Sequence, residues 1–159
     1  MNLFATFPCP IQSARFLDQK RKIKMTLESM QLLCTAINLN GGTSPYKTTH
    51  KNHPVAVWAR QTKANYKWVL RHFIALCREY TKTTGKIHKC QTYIKQLYNG
   101  VRYIPEGSLT PHVNCAANSE FGVSFHHITD VHEAYQKYLC WRFQHDKRPA
   151  FSNLGVKNG

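Results

Sequence analysis

The stretch from Pro54 to Gly85 leaves this chain the least conformational freedom. Val55, Trp58, Tyr66, Val69, Phe73, Leu76, Cys77 and Tyr80 recur mostly at three- and four-residue steps, the spacing that gathers side chains on one face of an α-helix. Proline suits the first helical position, where its missing N–H has no partner to lose. Glycine accepts the left-handed backbone that stops a helix. The pattern predicts a single helix on the order of 40 Å long at ~1.5 Å per residue, enough for the spine of a domain. Its other face carries Arg60, Lys63, Lys67, Arg71 and Arg78. Such a face is ordinarily just solvated, but charge of one sign also suits phosphate contact.

Two further helices are expected around this spine. Phe16, Ile23, Leu27, Met30, Cys34 and Ile37 form an apolar stripe that predicts a helix over residues 14–39, stopped by Asn40-Gly41-Gly42. Residues 1–13 hold Pro8 and Pro10 and read as an extended arm; residues 43–52 read as a polar loop. A short helix is expected near residues 91–98. Residues 99–127, broken by Gly100, Pro105, Gly107 and Pro111, lack periodicity and read as a long loop of the kind usually given to function. The last helix begins at Thr129 or Asp130, with Glu133 placed as a capping box requires, and closes at His145-Asp146-Lys147-Arg148-Pro149. The expected fold is all-α: a single-domain bundle of three main helices, an extended N-terminal arm and a long irregular loop before the last helix. Residues 1–153 would form the domain and 154–159 a frayed tail.

With 159 residues, 42% of them apolar and 12% aromatic, the chain can fill one core and offset the entropy of ordering. Its charge is unusual: 22 Lys and Arg stand against 8 acids, a net +14. Such an excess repels itself in a compact state and usually answers to a polyanion. Residues 1–12 lack a basic leader, and prolines break their apolar run, so neither a signal peptide nor a membrane span is expected. That sets a membrane partner aside and favours nucleic acid in the cytoplasm; a role in solubility or in binding a protein is the ordinary alternative for the charge. The six cysteines are scattered, with no CxxC pair, and are expected to be reduced and mostly structural. His50 and His53 form an isolated H-x-x-H without four ligands at zinc spacing, so no metal is expected, nor any cofactor. Together with Lys51 and Asn52, they are better placed to meet phosphate or a base edge at the start of the long helix.

Lys20, Lys24 and Glu28 follow one another at i, i+4 steps, with Asp18 and Arg21 at the start of the same edge. A ladder of surface salt bridges is the plain reading. The sharper one is chemical: a half-buried carboxylate beside an amine serves as general acid and base, and an amine with a lowered pKa forms a Schiff base with a sugar aldehyde. Among the aromatics, Tyr66, Phe73 and Tyr80 read as core. Trp58, Trp68 and Trp141 cannot all point inward, so one of them is a candidate to stack on an unpaired base, against helix packing as the commoner role.

Leu17-Asp18-Gln19 leading into a basic helix with Glu28, then His53-Pro54-Val55 opening an aromatic and basic helix, then Lys147-Arg148-Pro149, resembles the phage pyrimidine-dimer DNA glycosylase/AP lyase family over residues 1–150. The segments Lys24-Met25…Glu28 and Tyr46-Lys47…Thr49-His50-Lys51-Asn52-His53-Pro54 are similar to those of uncharacterised phage-encoded proteins. The resemblance implies an all-α fold with the N-terminal arm threaded between helices. It also implies that the N-terminal α-amine attacks C1′ of a damaged nucleotide, that Glu28 assists, and that a Schiff-base intermediate permits strand cleavage. Asn2 is bulky and should tend to keep Met1 in place. Three outcomes stay open: Met1 supplies the amine, a lysine such as Lys24 supplies it, or the scaffold has lost the chemistry. The leading reading is a DNA-binding N-glycosylase, with or without AP lyase activity. The alternatives are a non-catalytic nucleic-acid-binding phage protein and an N-glycosidase acting on free nucleotides. The residues expected to contact nucleic acid are Asp18, Lys20, Arg21, His50, Lys51, Asn52, His53, Arg60, Lys63, Lys67, Arg71, Lys147 and Arg148.

Overall fold

The computed structural model describes residues 1–146, so Lys147, Arg148 and the expected tail lie outside the described residues. Six α-helices carry the fold: α1 (Pro10–Phe16), α2 (Gln19–Leu39), α3 (Pro54–Gln61), α4 (Lys63–Thr84), α5 (Ile94–Asn99) and α6 (Val131–His145). Turns of 3-10 helix flank α5, and a small antiparallel hairpin pairs β1 (Ala117–Asn118) with β2 (Val123–Ser124). The all-α expectation holds, with α2, α4 and α6 as the three long members. None of the helices described is long and apolar enough to cross a membrane.

Two of the expected helices are each broken in two. The apolar period runs on through Thr62, but Thr62 is extended (φ −140°, ψ 155°) and its side chain accepts from the Asn65 N–H, capping α4. The backbone N–H groups freed by the break donate to Pro105 O (2.8 Å from Lys63 N) and to Gly107 O (3.4 Å from Ala64 N). Asn65 fastens the same seam, donating to Trp58 O and accepting from Thr110 N. The long loop thus staples the kink, and α4, at 22 residues, spans only ~33 Å. Gly85 ends it in the left-handed conformation (φ +71°), as expected.

The other break falls at Leu17 and Asp18, between α1 and α2. Residues 10–13 are helical rather than part of an extended arm, because Pro10 opens α1 at a position where proline is favourable. The apolar stripe expected along α2 holds only in its second half, where Met30, Cys34 and Ile37 are buried. In the first half Ile23 and Leu27 face solvent at 44% and 41% exposure, while Arg21, Lys22, Thr26 and Ser29 turn inward. Their partners explain this: Lys22 Nζ lies 2.9 Å from Glu79 on α4, and Arg21 has two carboxylates. The last helix begins as expected, with Asp130 accepting from the N–H groups of His132 and Glu133. Glu133 itself pairs with Lys137 at 3.1 Å. The cysteines form no disulfide among the described residues, and burial pushes the Cys77 thiol up to about 12.

Residues 1–9 run between α4 and α6, held by their carbonyls. Ala5 O accepts from His132 Nδ1 (2.7 Å), Thr6 O from Gln136 Nε2 (2.7 Å), and Pro8 O from Trp68 Nε1 (2.8 Å). Pro10 O, at the head of α1, takes His72 Nδ1 at 3.0 Å. The ring donors His132, Trp68 and His72 belong to a stack: Trp68 lies on His72, His112 on Trp58, and His112 meets both Trp68 and His132. Trp58 and Trp68 are buried and their indole N–H groups are bonded to carbonyls, which removes both as base-stacking candidates.

Burial holds His72 down to about 4 and, with the charges of His132 and His72 adding to it, His112 down to about 3. Both are therefore neutral in the fold, whereas an unfolded histidine titrates near 6.5. The unfolded chain then binds more protons below pH ~6.5, so stability falls as the pH drops through that value towards 4. At pH 5 each histidine is expected to lower stability by about 2 kcal/mol. Denaturant melts at pH 7 and 5 check this, and His72→Gln should remove about half of the difference.

Candidate active site

Glu28 sits on the half-buried edge of α2, one turn beyond Lys24. Its Oε1 lies 3.3 Å from the α-amine of Met1, with 14% of its side chain exposed. Its Oε2 is buried and has no hydrogen-bond partner among the described residues. The carboxylate therefore holds the amine with one oxygen and keeps the other free for a proton.

Asn2 fixes the amine in that place. Its Oδ1 accepts from the Leu3 N–H (2.8 Å) and from the Tyr135 hydroxyl (2.9 Å), and its Nδ2 donates to Cys115 O (3.2 Å). Tyr135, buried on α6, also accepts from the Cys115 N–H at 3.0 Å. The arm then turns sharply at Phe4, whose φ of +49° is uncommon for a residue with a side chain.

In front of the amine lies a cavity of about 250 Å³, walled by Met1, Lys24, Glu28, Asn118, Tyr138 and Arg142 among others. That is close to the lower bound for small-ligand pockets and suits one extruded nucleoside rather than a duplex. A smaller hollow of about 110 Å³ adjoins it, sharing Phe4, Lys24, Met25 and Arg142 and adding Lys20 and Arg21. The two arginines are fixed by buried acids. Arg21 reaches Asp18 (3.1 Å) and Asp146 (2.9 Å), and Arg142 reaches Asp146 (2.8 Å) and the Tyr138 hydroxyl (2.9 Å). Burial raises the Asp146 carboxyl, but the hydrogen bonds and charges of Arg142 and Arg21 outweigh it and hold the group below the usual carboxylate range.

Among the acids that form ion pairs in the described residues, the partner separates Glu28 from the others. Asp18, Glu79, Glu106, Glu133 and Asp146 are each neutralised by a lysine or arginine side chain. Glu28 is paired with the chain's own amine.

Of the residues expected from sequence, Met1, Lys20, Arg21, Lys24 and Glu28 come together here, with Asp18 fully buried behind Arg21. His53 caps α3, its Nδ1 accepting from the Val55 N–H at 3.2 Å. Burial, and then the charges of the N-terminal amine and His50, disfavour its protonated form, with Glu28 opposing them, so His53 shares the electrostatic field of the site. His50 (φ +47°), Lys51 and Asn52 are exposed on the loop before it. Arg60 donates to Lys51 O at 2.7 Å, and Lys63 pairs with Glu106. Lys67 and Arg71 line a different hollow beside Tyr98, one that shares no wall residue with the Met1–Glu28 cavity. Sequence reasoning missed Asn2, Asn118, Tyr135, Tyr138 and Arg142. The available signal was on α6, where Tyr135, Tyr138 and Arg142 share a face and Arg142 stands four residues before Asp146.

Tyr135→Phe removes the hydroxyl that joins Asn2 to Cys115 and leaves a buried N–H without that partner. The expected loss of stability is about 1–3 kcal/mol, read from urea denaturation, together with a less protected N-terminal arm in hydrogen exchange.

Comparison with curated proteins and with solved structures finds no match for this chain. The profile of one family, described as pyrimidine dimer DNA glycosylase, matches residues 1–92. The matched part carries the arm, Met1, Lys24, Glu28 and His53, and runs through the whole of α4. The α6 wall, with Tyr138 and Arg142, lies beyond it. A match across more than half of the 159 residues, including the part that presents an amine to a carboxylate, places the chain in the pyrimidine dimer DNA glycosylase family.

Proposed function

We propose that this protein is a DNA N-glycosylase in which the α-amine of Met1 is the nucleophile and Glu28 moves the protons. The 3.3 Å contact between them at the head of the cavity carries this reading. Positive side chains draw the duplex in through its phosphates, and the damaged nucleotide is turned out of the stack into the pocket. Glu28 accepts a proton from the amine, whose freed lone pair forms a bond to C1′. The C1′–N bond to the base breaks, and the base departs with the bonding electrons and takes up a proton. Opening of the sugar ring then leaves a Schiff base between Met1 and C1′. Loss of a C2′ proton expels the 3′ phosphate, which is the lyase step, and water releases the amine.

Lys24 and Lys20 are assigned to the phosphates flanking the extruded nucleotide, since both line the hollow next to the reacting amine. Arg21 and Arg142 shape that hollow, with Asp18 and Asp146 fixing them. Exposed Lys51, Asn52, Lys67 and Arg71 are assigned to the duplex further out.

The test is borohydride reduction during reaction with a duplex carrying one pyrimidine dimer or one abasic site, followed by intact mass and peptide mapping. An adduct on the Met1 amine is expected. Glu28→Gln should reduce turnover by about 100- to 10,000-fold, one residue added ahead of Met1 should abolish trapping, and Lys24→Ala should weaken DNA binding yet still give the Met1 adduct at saturating DNA. An adduct on Lys24 would reassign the nucleophile. Base release without any adduct would remove the lyase step, and the absence of both would leave a DNA-binding protein. Binding alone is expected to weaken with salt at a log–log slope of about −0.9 per phosphate neutralised.

A further inference from the structure

An aromatic side chain, Phe121, lies against Arg142, and its backbone N–H donates to Asn118; both partners are wall residues of the cavity. It comes from a segment without a lysine or arginine to offer DNA. No lysine or arginine occurs between Tyr103 and Gln136, so the hairpin of β1 and β2 is poorly equipped to grip phosphates. It presents a ring instead. Ala117 and Asn118 of β1 form part of the cavity wall. Three residues further on, at the tip, Phe121 is 37% exposed.

The tip is built to a definite shape. Asn118 Oδ1 accepts from the backbone N–H groups of Glu120 (2.9 Å) and Phe121 (3.2 Å), and Gly122 closes the turn with a φ of +63°. The ring of Phe121 lies edge-on to Trp141 (centroids 5.5 Å) and against the Arg142 guanidinium (4.8 Å). Trp141 in turn stacks on His145 at 4.0 Å. An exposed ring is thus braced from behind by α6 and tied, through Asn118 and Arg142, to two walls of the pocket. An extruded nucleotide leaves a gap in the base stack, and an apolar wedge at the pocket mouth stabilises the unstacked state.

We propose that Phe121 is that wedge: it enters the duplex stack beside the extruded nucleotide, with Trp141 bracing it. The inference rests on the reading of the chain as a glycosylase that extrudes its target. It differs from that reading by assigning a positioning residue that acts on the neighbouring bases and touches no reacting atom.

Two substrates separate a wedge from a general structural role: a duplex with one thymine dimer and 2-aminopurine in the opposite strand, and the dimer strand alone. For Phe121→Ala we expect the fluorescence rise on binding the duplex to be largely lost and excision from duplex to fall about tenfold or more. Excision from the single strand, which has no partner strand to unstack, should stay within about twofold. Phe121→Trp should restore both duplex readouts. Equal activity of Phe121→Ala and the parent on duplex overturns the wedge and leaves the glycosylase reading standing. An equal loss on duplex and single strand also overturns it, as damage to the pocket. If the parent protein neither excises nor unstacks on either substrate, both readings fall together.

Discussion

A chain end normally frays, yet the chemistry proposed for this molecule needs its first amine held at one point. Ordering each residue costs about 1–2 kcal/mol of backbone entropy, and chain termini are where such ordering is usually absent. Here the arm's carbonyls at Ala5, Thr6 and Pro8 accept from side chains of α4 and α6, and Leu3, Phe4 and Ala5 are buried. The grip is on backbone oxygen atoms as well as side chains, so it sets the register of the arm. Sliding it by one residue would carry Asn2 away from Tyr135 and Cys115 and move the amine off Glu28. The ring stack around His112 and the placement of α6 supply the donors that hold that register.

The second constraint is charge. Six of the chain's eight acids are taken up in ion pairs among the described residues, and the most buried of these pairs are structural ties. Asp146 joins the start of α2 to the end of α6 through Arg21 and Arg142, and Glu79 joins α2 to α4 through Lys22. Buried pairs of this kind contribute little net stability, because desolvation offsets the Coulomb attraction. They do fix geometry, and here they fix two arginines beside a cavity. Few carboxylates are then left on the surface to repel a polyanion, while Lys20, Lys24, Lys51, Lys67 and Arg71 remain exposed.

Periodicity made the helices legible, and it misplaced their breaks for a simple reason. An apolar stripe records which residues face inward and carries little record of a backbone that pauses between them. Thr62 interrupts the spine only because Pro105, Gly107 and Thr110, more than forty residues away, supply the partners its freed N–H groups and Asn65 need. The first half of α2 was misjudged in the opposite way: Ile23 and Leu27 matched the apolar period, while the buried face belongs to Arg21, Lys22, Thr26 and Ser29. Polar burial follows from partners on other elements, which spacing within one helix does not reveal. Glu28 is legible as a candidate because acids are scarce and it stands beside lysines. Tyr135, Tyr138, Asn118 and Arg142 are not, since their roles arise from where α6 and the hairpin pack.

The polar atoms left without partners gather along the same path. Among the described residues they are Thr6 Oγ1 in the arm, His72 and His112 Nε2 beneath it, Asp18 Oδ2 behind the arginine pair, and Glu28 Oε2 in the pocket. Each buried group of this kind costs about 1–3 kcal/mol, so their concentration marks the region as one held in place by its surroundings. The packing of α2 against α4, with Met30, Leu33, Tyr66 and Phe73 buried in the core, offsets that cost from outside. For Glu28 the open valence has a chemical meaning: an oxygen already satisfied by the fold would have to break a bond before taking a proton. In the proposed reaction Glu28 Oε2, left without a fold partner, can take a proton without that cost, and an interaction gained only on the way to the transition state is the kind that accelerates a step rather than merely binding.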